Sequence, residues 1–232
     1  MDAGAPITIL AGLHSGCFEI LARDDIRRIA DLNGRTIGIT VEGDRPLLTI
    51  MSRLVGLDLD KNIRWIPGPT PSPLELFLER KIDALLAVPP LLQEVRERHI
   101  GHTVVSSITD RPWSNYFCCL LAARTEFTQR YPVATKRVLR AYLKTLDLCA
   151  SDPSGAAHLW VDHGITTRYD YALQMLNETR YDIWRDYDPE DSVRFYALRL
   201  HEAGLVKSSP QTLIARHTDW RFLNELKREI KA

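Results

Sequence analysis

Apolar and polar positions change period along this chain in a way that separates a strand-and-helix region from a helical one. Residues 8–11 and 17–22 are short apolar runs bounded by glycine, the pattern of buried strands. Between them Gly12 to Gly16 is a small, polar turn. Ile26, Ile29 and Leu32 fall at helical spacing, and Asn33-Gly34 supplies a C-terminal stop. From residue 36 to 105 the two periods alternate. Strands are predicted at 36–41, 63–66, 82–88 and 102–105, with helices at 45–55, 73–80 and 90–98 between them. The first of these helices carries Leu47, Ile50, Met51 and Leu54 on one face and stops at Gly56. The second opens on Ser72-Pro73-Leu74-Glu75, a capping box with proline in the first helical position.

Strands separated by single helices imply right-handed crossovers and a parallel sheet. Pro112-Trp113-Ser114-Asn115-Tyr116 breaks the alternation, and 117–122 reads as one more buried strand. Beyond Arg124 the signals are helical. Leu139, Tyr142, Leu143 and Leu146 make one stripe, and Asp188-Pro189 caps a helix carrying Val193, Tyr196, Ala197, Leu200 and Ala203 up to Gly204. Ser209-Pro210 opens another, and 219–230 is amphipathic through Leu223, Leu226 and Ile230. The expected map is therefore discontinuous. Residues 23–114 form a complete α/β lobe with a parallel sheet, and 1–22 with 115–232 form a second, helix-rich body. Two chain crossings, near 16–22 and 114–121, would act as a hinge.

Composition narrows the function classes. In 232 residues, 30 Lys and Arg balance 30 Asp and Glu, so no net field recommends a nucleic acid or a membrane surface. No apolar run approaches the roughly 18 residues of a spanning helix. The opening MDAGAPITIL lacks the basic region and long apolar stretch of a signal peptide, which predicts a cytoplasmic chain if it starts at Met1. Four cysteines, Cys17, Cys118, Cys119 and Cys149, contain no C-x-x-C pair. That spacing speaks against zinc, and buried thiols are expected. Whether Cys17 and Cys118 bond is left open. No P-loop, dinucleotide fingerprint or nucleophile elbow occurs, and carboxylates lie scattered in charge runs such as 94–98. Neither catalytic residues, a cofactor nor a metal is expected.

A ligand site is expected instead. Ligands of open parallel sheets bind outside the carboxyl ends of the strands. The loops there are Glu42-Gly43-Asp44-Arg45, the segment 67–72 with Thr70, and Pro89-Pro90. Each leads into a helix start, where unpaired N–H groups and the dipole favour an anion. His14, Ser15 and Gly16 at the first crossing, and Trp113, Asn115 and Tyr116 at the second, would face the same cleft. Plainer roles compete: Asp44 as a helix cap, Arg45 as a solvated first-turn residue, His14 as a local hydrogen-bonding group, Trp113 as core.

The order of a small-residue turn, ITILAGLHSG, followed by IRRIADLNGRTIGI resembles type II periplasmic solute-binding proteins of ABC importers, in the nitrate/sulfonate/taurine and thiamine-precursor group. The resemblance continues along the rest of the chain and implies two lobes closing on a small polar or anionic organic solute. It implies the membrane subunits of an ABC transporter as partners and a periplasmic location. Relative to that group the chain starts almost at the hinge, so the second lobe is expected to lack its N-terminal part and to expose apolar helix faces open to self-association as a homo-oligomer. Where sulfonate binders carry Gly-Ser-Ser or Gly-Ser-Thr, this chain has Gly43-Asp44-Arg45, which puts sulfonate, nitrate and taurine in doubt. A eukaryotic branch of the same group makes the thiamine pyrimidine with clustered cysteines and a catalytic histidine. Phe117-Cys118-Cys119 is reminiscent of it but falls far short of that cluster, so an enzyme of that kind, or a truncated interaction protein, stands as the alternative.

Overall fold

Two strands open the chain, β1 (Ile7–His14) and β2 (Glu19–Ala22), and after a 3-10 turn at Ile29–Leu32 the α/β alternation begins with β3 (Thr36–Ile39). It continues through α1 (Asp44–Arg53), α2 (Leu59–Asn62), β4 (Arg64–Pro67), α3 (Pro73–Leu78), β5 (Ala84–Ala87), α4 (Leu91–Glu97) and β6 (His102–Ser106). A 3-10 turn at Trp113–Asn115 leads to β7 (Cys119–Arg124). Helices follow: α5 (Thr125–Arg130), α6 (Pro132–Ser151), α7 (Pro153–Asp162), α8 (Tyr169–Glu178), α9 (Pro189–Glu202), α10 (Pro210–His217) and α11 (Arg221–Glu229). The computed structural model describes residues 1–39, 41–68 and 72–230. The chain divides into two compact units, Cys17–Asp110 and Met1–Gly16 with Arg111–Ala232.

The 17–110 unit is built on a five-stranded sheet of order β4-β3-β5-β2-β6. β3 runs parallel to both β4 and β5, while β2 is antiparallel to β5 and to β6. The four strands joined through helices therefore run parallel to one another, as expected, and β2, expected in the other body, is the antiparallel addition. Alternation with helices determines the direction only of strands joined through a helix. β2 is entered from the other unit, so the pattern carried no information on its direction. Nor does β2 belong to the helix-rich body, where the boundary at residue 22 would place it. All four of its residues are buried, between β5 and β6, which explains an apolar run with no alternation. Leu21, Phe77, Ile82, Leu85, Leu92 and Val95 share one core beneath it.

The helix expected at 26–32 is only the 3-10 turn. The Asp31 carboxylate accepts the backbone N–H groups of Arg27 and Arg28 at 3.0 and 3.2 Å, a local alternative that competes with helical bonding. The box at Ser72 forms as expected. Glu75 N–H donates to Ser72 Oγ at 3.1 Å, and Ser72 N–H to the Glu75 carboxylate at 2.9 Å.

In the other unit β1 and β7 form a two-stranded antiparallel sheet, with register irregularities between Ile9 and Ala11 and between Gly12 and His14. Leu139, Leu143 and Leu146 of α6 supply a buried stripe at i, i+4 and i+7, packed with Leu10, Phe117 and Trp184. Tyr142, expected in that stripe, is 46% exposed, because its position flanks the buried face. Trp184 Nε1 donates to Asp147 at 2.9 Å, and Arg185 pairs with the same carboxylate at 2.6 Å.

The Asp2 carboxylate ties the N-terminus to the segment before α10. It accepts the backbone N–H of Lys207 at 3.0 Å and of Ser208 at 2.9 Å. The bond from Lys207, then those from Ser208, hold its pKa at about 2, below the ordinary 3.8. A carboxylate with a depressed folded pKa stabilises above its unfolded pKa, and that contribution disappears as pH falls through the folded one. The N-terminal tie is therefore expected to hold at neutral pH and release between about pH 4 and 2. Carboxyl NMR titration should place the Asp2 midpoint near 2, and Asp2→Asn should remove the pH dependence of amide protection at Lys207 and Ser208. A midpoint near 3.8 would show that the tie is absent.

Candidate functional site

β4, β3 and β5 are adjacent and parallel, so their carboxyl ends lie on one edge of the sheet, within two strand spacings or about 10 Å. From this edge the chain passes into α1, α3 and α4. Gly43 is exposed at the first exit. Asp44 turns its carboxylate back to accept Val41 N–H at 3.1 Å; it is not the helix cap considered above, since Gly43 holds the cap position of α1 and no side chain caps it. The Arg45 guanidinium lies over the Trp65 ring, 5.4 Å from its centroid. Pro89 is half-buried at the third exit. Thr70 lies outside the described residues.

Two further residues belong to this edge. Glu19 is paired with Ala87, at the carboxyl end of β5, and is 2% exposed. Its carboxylate is satisfied by Arg96 at 2.5 Å, the Thr103 hydroxyl at 2.8 Å and the Ser106 hydroxyl at 3.0 Å. That saturation makes it a strut of the sheet. A carboxylate inside the apolar run 17–22 is the signal that finds it in the sequence. Gln93, in the first turn of α4, is 1% exposed, and neither of its amide atoms has a hydrogen-bond partner among the described residues. Nothing in its sequence neighbourhood marks it.

The remaining expected residues lie in the helix-rich unit. His14 ends β1 opposite Cys119, and its ring meets Tyr181 with centroids 5.3 Å apart. Ser15 is buried and bridges to Arg180, and Gly16 takes a φ of +79°, where glycine alone is unstrained. Trp113 is 3% exposed and packs edge-on against Phe195, the position of a core residue. Tyr116 stacks on the same ring at 4.0 Å, and Asn115 is exposed beside it. The fold thus gathers Gly43, Asp44, Arg45 and Pro89 on one edge of one unit. In the other it keeps His14, Ser15 and Gly16 together, and Trp113 and Tyr116 around Phe195.

None of the four cysteines forms a disulfide, which answers the question of Cys17 and Cys118. Two cavities lie elsewhere. One, of about 370 Å³, is lined by Arg23, Asp24, Asp25, Phe77 and Arg80, on the opposite edge of the large sheet, since Ala22 pairs with the start of β5. The other, of about 350 Å³, is lined by Asp188, Glu190, Trp220, Asn224 and Lys227 of the helix-rich unit. Burial lowers the pKa of Lys227 there, against the opposing pull of Asp188 and Asp186. Among the described residues no helix is long and apolar enough to cross a membrane.

An α/β unit inserted into a helix-rich one at two chain crossings, with helix starts along one sheet edge, is the construction of type II periplasmic binding proteins. The chain belongs to the NMT1-like family, whose model matches residues 2–160. Comparison with curated protein sequences gives no match. Among solved structures, the periplasmic nitrate-binding protein NrtA from Synechocystis PCC 6803 superposes with a TM-score of 0.80 at 12% identity, over 98% of this chain and 68% of that one. The ligand-binding component of an ABC-type import system from Staphylococcus aureus, solved with zinc bound, gives 0.74 at 15% identity, over 97% and 75%. The desulfurization enzyme DSZB gives 0.59 at 17% identity, over 98% and 81%. These likenesses establish the fold, which both binding proteins and an enzyme use.

Proposed function

We propose that this protein is the solute-binding component of an ABC importer, working in the periplasm and taking a small polar or anionic organic solute. The observation that carries the reading is the set of three helix starts leaving one edge of the β4-β3-β5 sheet, where N–H groups and helix dipoles favour negative charge. Asp44 spends its charge on Val41 N–H, which lessens its repulsion of an anion, and Arg45 supplies the cation at the same turn. Gln93 adds a buried amide that a solute would satisfy. Ser15, Gly16 and Tyr116 are the proposed contributions of the second unit, with His14. Capture would work by the two units moving onto the solute, whose extra contacts in the closed form shift the equilibrium. The membrane subunits of the transporter would read that form.

A thermal-shift screen of small carboxylates, sulfonates, nitrate and amino acids tests this, followed by calorimetry. One solute should raise the melting temperature and be recovered unchanged. Arg45→Ala should weaken it about tenfold or more, the worth of a charge-assisted hydrogen bond. A solute recovered chemically altered, or undiminished affinity in Arg45→Ala together with Gln93→Leu, would sink the reading.

A further inference from the structure

We infer that His14, Cys118 and Cys119 form a metal site of the zinc class, at the point where β1 ends and β7 begins. Their ligand atoms all lie within 4.8 Å of one another. The His14 Nδ1 to Cys118 Sγ distance is 3.5 Å and the Sγ to Sγ distance is 4.0 Å. A tetrahedral zinc with Zn–S of about 2.3 Å and Zn–N of about 2.05 Å has N···S edges of about 3.6 Å and S···S edges of about 3.8 Å. These two separations lie within about 0.2 Å of those edges, and the His14 to Cys119 edge falls within the 4.8 Å bound.

The backbone explains how adjacent cysteines converge. Neighbouring residues within a strand point to opposite faces. Cys118 lies in a bend just before β7, whereas Cys119 is the first residue of that strand, so the alternation does not apply across them. The register irregularity between Gly12 and His14 re-aims the imidazole toward the same point, the usual effect of a bulge. Cys118 N–H donates to the His14 carbonyl at 3.0 Å, which holds the two segments together whatever the side chains do. All three side chains are half-buried, a setting that admits an ion yet shields it. Two thiolates and a neutral imidazole balance a divalent charge and suit a borderline-soft cation. Three protein ligands leave one tetrahedral position for water or for the thiol of Cys17, whose Sγ lies within the same 4.8 Å. The expectation of no metal came from the missing C-x-x-C spacing. Here the ligands come from two chain segments more than 100 residues apart.

This site does not depend on the solute reading, since its three proposed ligands belong to one unit. The test uses the full-length chain with any affinity tag removed, stripped with chelator under reducing conditions and loaded with Zn²⁺ or Co²⁺. The expected result is one zinc per chain surviving gel filtration. The cobalt form should show tetrahedral visible bands and a near-ultraviolet charge-transfer band of at least two thiolates. Cys118→Ser and Cys119→Ser should each weaken zinc binding beyond the ten- to hundredfold that second-shell changes cost. The cobalt spectrum of the unsubstituted chain keeps the proposal testable if those variants fail to fold. Loss of zinc from the unsubstituted chain, an octahedral or thiolate-free cobalt spectrum, or unchanged affinity in folded serine variants would overturn it.

Discussion

Arg96→Met is expected to lower the unfolding free energy of the 17–110 unit by about 3 kcal/mol, the cost of leaving a buried charge without its partner. Glu19 is the charge in question. It sits in the interior strand β2 at 2% exposure and takes its shortest bond, 2.5 Å, from the Arg96 guanidinium. The hydroxyls of Thr103 and Ser106 would remain but carry no charge. Arg96 keeps about a third of its side chain in water, so the low end of the range is appropriate. Amide exchange in β2 and β5 measures the loss within this unit without relying on two-state melting of the whole chain. Glu19→Leu combined with Arg96→Met should recover much of it, because apolar replacement of both partners is often near neutral. A loss below about 1 kcal/mol would show that the carboxylate does not depend on this pair.

The second large effect falls in the other unit. A Cβ placed on Gly12 would lie 2.3 Å from ring carbons of Phe117, which is itself 1% exposed. Gly12→Val should therefore cost about 3 kcal/mol or prevent this unit from folding, at or beyond the usual upper end for overpacking. Gly12→Ala should cost less, and pairing it with Phe117→Leu should restore part of the stability, since the shorter side chain vacates that space. Gly43→Ala is the control: its added Cβ would meet only Val41, at 3.8 Å, and should change stability by less than about 0.5 kcal/mol. Urea titration of the four proteins checks the order. If Gly12→Val matches Gly43→Ala, the ring is not where the structure has it.

Local patterns were sufficient wherever one residue's neighbours in sequence are also its neighbours in space. The Ser72 box, the alternation from β3 to β6, and the stripe of Leu139, Leu143 and Leu146 all depend on contacts within one or two turns. The 26–32 helix failed for the same kind of reason, because Asp31 competes locally and apolar spacing does not register hydrogen bonding by a side chain. For the candidate site, the exits at Gly43, Ser72 and Pro89 were legible because a strand-to-helix boundary is a local event. Trp113 was ambiguous, since an aromatic beside proline reads alike in a core and in a cleft, and only its packing on Phe195 separates the two.

By itself the sequence determined that an α/β region is inserted between a strand and a helical tail, and that helix starts follow its parallel strands. Tertiary structure alone decided that β2 runs antiparallel inside that sheet, that Glu19 is neutralised by Arg96 from across it, and that Cys118 and Cys119 meet His14. Period and capping are written in a few consecutive residues. Strand direction, buried charge pairing and ligand convergence depend on residues 62 or more apart, whose meeting is set by the packing of the whole unit.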